Sequence, residues 1–160
     1  MRFFKLLGLI TVLIMPACTS AAAEVTTPPA KSTAPSSAEN NLANTQWVLV
    51  SFGAPDAETP IVEASTITLE FGADGQAGGS GGCNSYGGEY QVQDHTLSFS
   101  QINSTLMACA DERVMQQEQR YFQALETAGQ FELTDDHLAI RYDDGQGVLN
   151  FVRATPPADG

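Results

Sequence analysis

Ile67-Thr68-Leu69-Glu70-Phe71-Gly72-Ala73-Asp74-Gly75 reads as a strand running into the turn that ends it. From Ser65 onward Ile67, Leu69 and Phe71 share one face, and Thr66, Thr68 and Glu70 the other, the period-two pattern of a half-buried strand. Gly78-Gly79-Ser80-Gly81-Gly82 follows and leads into Cys83-Asn84. This run lacks a Gly-Lys-Ser/Thr ending and no helix follows it, so it does not offer amides to a phosphate. It reads instead as a bulge or a close strand crossing. Tyr86 to Val92 and Thr96 to Ile102 form a hairpin about Gln93-Asp94-His95. Upstream, Trp47-Val48-Leu49-Val50-Ser51-Phe52 is rich in strand formers. Downstream, Gln130 to Leu133, His137 to Tyr142 and Val148 to Val152 add three strands, joined by Asp135-Asp136 and Asp143-Asp144-Gly145.

One segment changes period. Between Asp111 and Thr127, Val114, Met115, Tyr121, Phe122 and Leu125 fall on a stripe at three-four spacing, with Gln116, Gln117, Gln119 and Gln123 facing away. Asp111 is the N-cap candidate, and Gly129 sits near the C-terminal stop. The expected fold is mainly β with one packed α-helix, a small antiparallel barrel-like or curved sheet. Residues 44–154 hold this domain, and 155–160 form a tail.

The chain opens differently. Arg2 and Lys5 precede an apolar run of ten residues, Leu6 to Met15. That is too short for a helix spanning about 30 Å of hydrocarbon, and it has the layout of a signal peptide over residues 1–17. Met15-Pro16-Ala17-Cys18 resembles a bacterial lipobox, which makes Cys18 the lipid attachment site. Two or three acyl chains there would anchor the protein stably, where one would not. A second reading cleaves at Ala21-x-Ala23 and releases a soluble periplasmic protein that starts near Glu24. Thr19 after the cysteine is similar to outer-membrane sorting, so the expected location is the outer membrane, facing the periplasm. Residues 18–43 are Ala, Ser, Thr and Pro with almost no large apolar side chain. They read as a disordered tether with an end-to-end distance of about 25–30 Å.

Seven Lys and Arg stand against 19 Asp and Glu, a net charge of −12. Loss of Arg2 and Lys5 with the leader leaves five basic residues, and the mature charge becomes −14. Nucleic acid is excluded as a partner, because phosphate binding needs a basic face.

With Cys18 acylated, Cys83 and Cys109 are the only thiols in an oxidising compartment, which favours a disulfide. Closing that loop of about 26 residues would stabilise the fold by about 3–3.5 kcal/mol. The open alternative is a soft-metal site in which Met107 and Met115 join a thiolate. His95 and His137 lie beside turns and read as surface histidines. The acidic doublets read as turn residues, without calcium-loop spacing. No Gly-x-Ser-x-Gly or other nucleophile signature is present.

Gly79-Ser80-Gly81-Gly82-Cys83-Asn84-Ser85-Tyr86-Gly87-Gly88-Glu89-Tyr90, followed by Ser104-Thr105-Leu106-Met107-Ala108-Cys109, resembles the signature of the META domain (HslJ-like) family. The resemblance covers about residues 44–153. It implies a small β-barrel-like sheet with a helix, and Gly82, Cys83, Asn84, Tyr86, Thr105, Met107 and Cys109 as fold determinants. Members are often envelope lipoproteins linked to heat shock, antibiotic tolerance, motility or secretion, without an established activity, cofactor or ligand. The expected function is therefore a non-enzymatic, membrane-tethered envelope lipoprotein with an interaction or stress-related role. Its expected partners are the membrane, through the lipid, and an envelope protein or small ligand. A small-ligand or soft-metal binding module in the periplasm is the alternative. No catalytic residue, cofactor or metal site is expected.

Overall fold

The computed structural model describes residues 42–155. The expected signal segment 1–17, Cys18, most of the tether and residues 156–160 lie outside the described residues. The described elements are β1 (Thr45–Gly53), β2 (Thr59–Pro60), β3 (Thr68–Phe71), β4 (Gln76–Ser80), β5 (Ser85–Gln93) and β6 (Thr96–Ser104). These precede α1 (Glu112–Glu126), β7 (Ala128–Leu133), β8 (His137–Tyr142) and β9 (Gly147–Arg153).

All strand pairs are antiparallel. β1 pairs with β3 through its first half, from Thr45 opposite Phe71 to Val48 opposite Thr68. On its other edge β1 pairs with β9, from Trp47 opposite Arg153 to Gly53 opposite Val148. The order β1-β3-β4-β5-β6-β7-β8-β9 thus returns to β1 and closes an eight-stranded barrel, with β2 a short strip beside the second half of β1. The fold is mainly β with one packed helix. Its thinnest seam is β6–β7, whose register is the single pair Thr96 and Gln130. The helix that connects those two strands packs along β6.

Alternation fills the barrel. Trp47 and Leu49, Leu69 and Phe71, Tyr90 and Val92, Leu138 and Ile140, and Leu149 and Phe151 are all buried, each pair two apart on its strand. The residues between them, Val48, Glu70, Gln91, Ala139 and Asn150, are half-buried or exposed. Each fully buried leucine or phenylalanine contributes about 1.5–3 kcal/mol relative to exposure.

Because the strands alternate in direction, the end of β1, the start of β3, the β4–β5 turn and the end of β6 share one mouth of the barrel. α1 runs across that mouth. Gln117 accepts from the Val62 amide (2.7 Å) and donates to Ser65 Oγ (2.8 Å). Tyr121 is fully buried against Tyr86, and the Arg120 guanidinium lies 5.1 Å from the centre of the Phe52 ring. Asp111 caps the helix, its carboxylate accepting from the Arg113 amide at 2.9 Å. The start of β1 lies at the opposite mouth. There Leu42 is fully buried and the Asn44 amide donates to the Phe71 carbonyl at 2.7 Å. Leu42 thus joins the core two residues ahead of the boundary expected at Asn44.

The helix face differs from the expected stripe. Val114, Tyr121 and Leu125 are buried, but so are Gln117 and Glu118, while Met115 is 42% exposed. A barrel mouth presents unpaired strand-end amides, and the helix residues over it must supply acceptors as well as apolar surface. The glycine run also contains a strand that its composition conceals. β4 crosses β3 so closely that the Ser80 amide donates to Thr68 Oγ1 at 2.9 Å.

Gly79 sits at that crossing with φ +151, and a Cβ there would collide with the Thr68 carbonyl. Gly87, on the neighbouring strand, has negative φ and would meet nothing nearer than the Ala77 carbonyl at 3.8 Å. Gly79→Ala is expected to cost at least about 2 kcal/mol in urea denaturation, while Gly87→Ala is neutral or stabilising by up to about 1 kcal/mol. Equal losses at both positions would contradict the close-crossing account.

Candidate functional site

A buried carboxylate organises the helix-bearing mouth. Glu118 is 6% exposed, as is Asn84. Glu118 Oε1 accepts from the Asn84 amide at 2.6 Å and the Cys83 amide at 3.2 Å, while Oε2 accepts from Asn84 Nδ2 at 2.7 Å. Three donors of the β4–β5 turn thus converge on one side chain of α1. Gly82 turns the chain into Cys83 with φ +109.

Asn84 passes the constraint onward. Its Oδ1 accepts from Thr105 Oγ1 (2.9 Å) and from the Met107 amide (2.7 Å). The Thr105 amide donates to the Ser85 carbonyl at 3.0 Å. Cys83 and Cys109 are joined in a disulfide, with Cα atoms 6.2 Å apart. The segment from Thr105 to Cys109 is therefore clamped at both ends and in its middle.

What this clamp presents is apolar. Leu106 is 96% exposed and Met107 58%, and Met115 faces them from α1. With half-buried Phe122 they line a groove of about 620 Å³, in the range of about 300–1,000 Å³ typical of ligand sites. Glu112 lies at its rim, Glu118 beneath it, and no Lys or Arg lines it. Nearby Arg113 is bound to Asp111 at 2.8 Å, and that contact holds the Asp111 carboxyl below its ordinary range.

Tyr86 closes the site from the barrel side. Its hydroxyl donates to the Thr68 carbonyl at 2.9 Å and lies 2.7 Å from the Tyr121 hydroxyl, which donates to it in turn. Burial pushes both phenols well above the ordinary tyrosine value.

The structure gathers all of the sequence-predicted motif residues, Gly82, Cys83, Asn84, Tyr86, Thr105, Met107 and Cys109, at this mouth. His95 and His137 are exposed at the other mouth, and Asp135, Asp136, Asp143 and Asp144 occupy turns. With both thiols in the disulfide, a soft-metal site here would have only the thioethers of Met107 and Met115. Sequence reasoning passed over Glu118 and Leu106. Glu118 carried a usable signal, since 114, 118, 121 and 125 follow one helical stripe. The exposure of Leu106 had none, because it depends on the clamp.

The META domain family profile matches residues 40–155. An NMR structure of a protein from Burkholderia xenovorans is similar at 28% identity and a TM-score of 0.63, covering 81% of this chain and 98% of that one. The crystal structure of a DUF4847-family protein from Bacteroides vulgatus has a TM-score of 0.54 at 17% identity, over 74% of this chain and 99% of the other. That likeness is one of fold. No curated protein matches the chain.

Glu118→Ala removes the acceptor of the buried Asn84 amide and the half-buried Cys83 amide and the shorter of two acceptors of Asn84 Nδ2. It is expected to lose about 3 kcal/mol in denaturant unfolding without reductant. Glu118→Gln turns an NH2 group toward other donors and should lose about 1–3 kcal/mol. A wild-type midpoint for Glu118→Gln would show that the charge is dispensable.

The two phenols set an alkaline limit. Their folded pKa values are raised, so unfolded chains release protons near pH 10 that the folded state retains. Stability is complete below that pH and falls as pH rises above it. Tyr86→Phe with Tyr121→Phe should flatten the decline measured from about pH 9 to about pH 11. An unchanged slope would assign the alkaline loss to other groups.

Proposed function

Because the chain belongs to the META domain family, we propose that it is a non-enzymatic interaction module of the bacterial cell envelope, tethered to a membrane through Cys18. One observation carries the interaction reading. A leucine exposed at 96% sits on a loop held by a disulfide and by two hydrogen bonds to one buried asparagine. Rigid loops on a scaffold are where binding residues concentrate, and a backbone already fixed has little entropy left to lose on contact. Leu106, Met107 and Met115 line one groove together, among polar neighbours, rather than lying scattered over the surface.

Among the described residues the chain enters the barrel at Leu42, at the mouth opposite α1. The volume of the groove also favours a second reading, in which it holds a small apolar ligand.

A single preparation tests both parts. The intact mass of protein extracted from membranes should show cleavage before Cys18 and acyl chains on it; an unacylated chain beginning near Glu24 would overturn the anchor. A photoreactive residue at position 106, in the cell envelope, should give a discrete protein adduct. The same residue at exposed position 73, on the opposite mouth, should give none. No adduct at 106, or equal adducts at both positions, would sink the interaction reading.

A further inference from the structure

We infer that the groove between the Thr105–Cys109 loop and α1 takes a basic amphipathic peptide segment of a partner protein; this rests on the interaction reading above. Its apolar half is read from the lining. Leu106, Met107, Met115 and Phe122 offer flexible, polarizable surface, and thioethers adapt to side chains of varied shape. An amphipathic helix laid in such a groove presents apolar anchors three and four residues apart on one face.

Its charge is read from the whole domain. Residues 42–155 contain 16 Asp and Glu, four Arg and no Lys, a net of −12. Each arginine is already engaged: Arg113 with Asp111, Arg141 with Glu132 at 3.6 Å, Arg120 over Phe52 and Arg153 over Trp47. At the groove, Glu112 and Glu118 are balanced by no lining cation. A second copy would bring another −12 to the contact, and an anionic lipid surface would be repelled in the same way. A cationic segment meets complementary potential at the rim and apolar contact at the centre, the arrangement that favours fast and selective encounter.

The probe is a helix-forming Leu/Lys peptide with leucines at i, i+3, i+4 and i+7, titrated into the purified full-length protein. It should bind, weaken as salt rises, and lose about tenfold or more in affinity to the Leu106→Ser/Met115→Gln protein. Both positions are exposed, so the variant should unfold at the wild-type midpoint. A scrambled peptide of equal charge that binds as well would reduce the effect to bulk attraction and overturn the inference. So would a Leu/Glu peptide of equal affinity. Binding to phosphatidylcholine vesicles that depends on Leu106, with no peptide binding, would reassign the loop to membrane contact. If no peptide binds while position 106 still crosslinks to an envelope protein, the basic-segment inference fails and the interaction reading stands. If both are lost, both fail.

Discussion

A carboxylate placed where water barely reaches must be met by donors on every side, and the mouth of this barrel is built around that demand. Glu118 receives the amides of Cys83 and Asn84 and the side-chain amide of Asn84. Hydrogen bonds to a charged group contribute about 1.5–3 kcal/mol each, and removing such an acceptor leaves the donors buried. One side chain therefore fixes the position of α1 over the barrel and the shape of the β4–β5 turn. Through Asn84 it also fixes the course of the chain from Thr105 to Met107. The disulfide adds a covalent limit to the same segment. The exposed Leu106 lies between the two residues that these bonds hold, Thr105 and Met107.

Much of the fold was legible because β-barrels announce themselves through alternation. The hairpin about Asp94 and the three terminal strands lie where their patterns put them, while the strand expected over Ser65 to Phe71 is regular only from Thr68, because Ser65 turns back to the Val62 carbonyl. β4 was hidden, since Gln76–Ser80 has only Ala77 as a core side chain and the rest of the strand is glycine or polar. Its place is set by backbone pairing and by the close approach of Thr68, neither of which leaves a hydrophobic signature. The helix was found with Val114, Tyr121 and Leu125 inward as expected, and it departs from the expected stripe at Met115 and Gln117. Hydrophobic periodicity puts Met115 inward and Gln117 outward, whereas the barrel mouth needs hydrogen-bonding groups and draws Gln117 and Glu118 in. Apolar patterning predicts faces that pack on apolar surface; it fails where an element must pack on strand ends.

The same reasoning explains why the motif residues were legible as a set but not as a site. Asn84 and Thr105 are separated by 21 residues and become neighbours because β5 and β6 pair, with Tyr86 opposite Ser104. Cys83 and Cys109, just beyond the two strand ends, meet for the same reason. The pairing register thus converts two separated motifs into one clamp. The partner that completes it, Glu118, arrives from the helix and belongs to neither motif.

A disulfide, a buried asparagine and a buried glutamate are more than a short connection between β6 and α1 requires for stability. An unconstrained loop would let Leu106 fold back against Met115 or Phe122 and cover apolar area, gaining roughly 25 cal/mol for each Å² removed from water. The hydrogen bonds from Thr105 and Met107 to Asn84 prevent that collapse by fixing the backbone on both sides of Leu106. The exposed leucine is thus maintained against a local driving force rather than left out by chance. The leucine held out in this way is the surface that the proposed interaction would use, and its backbone is fixed before any partner arrives.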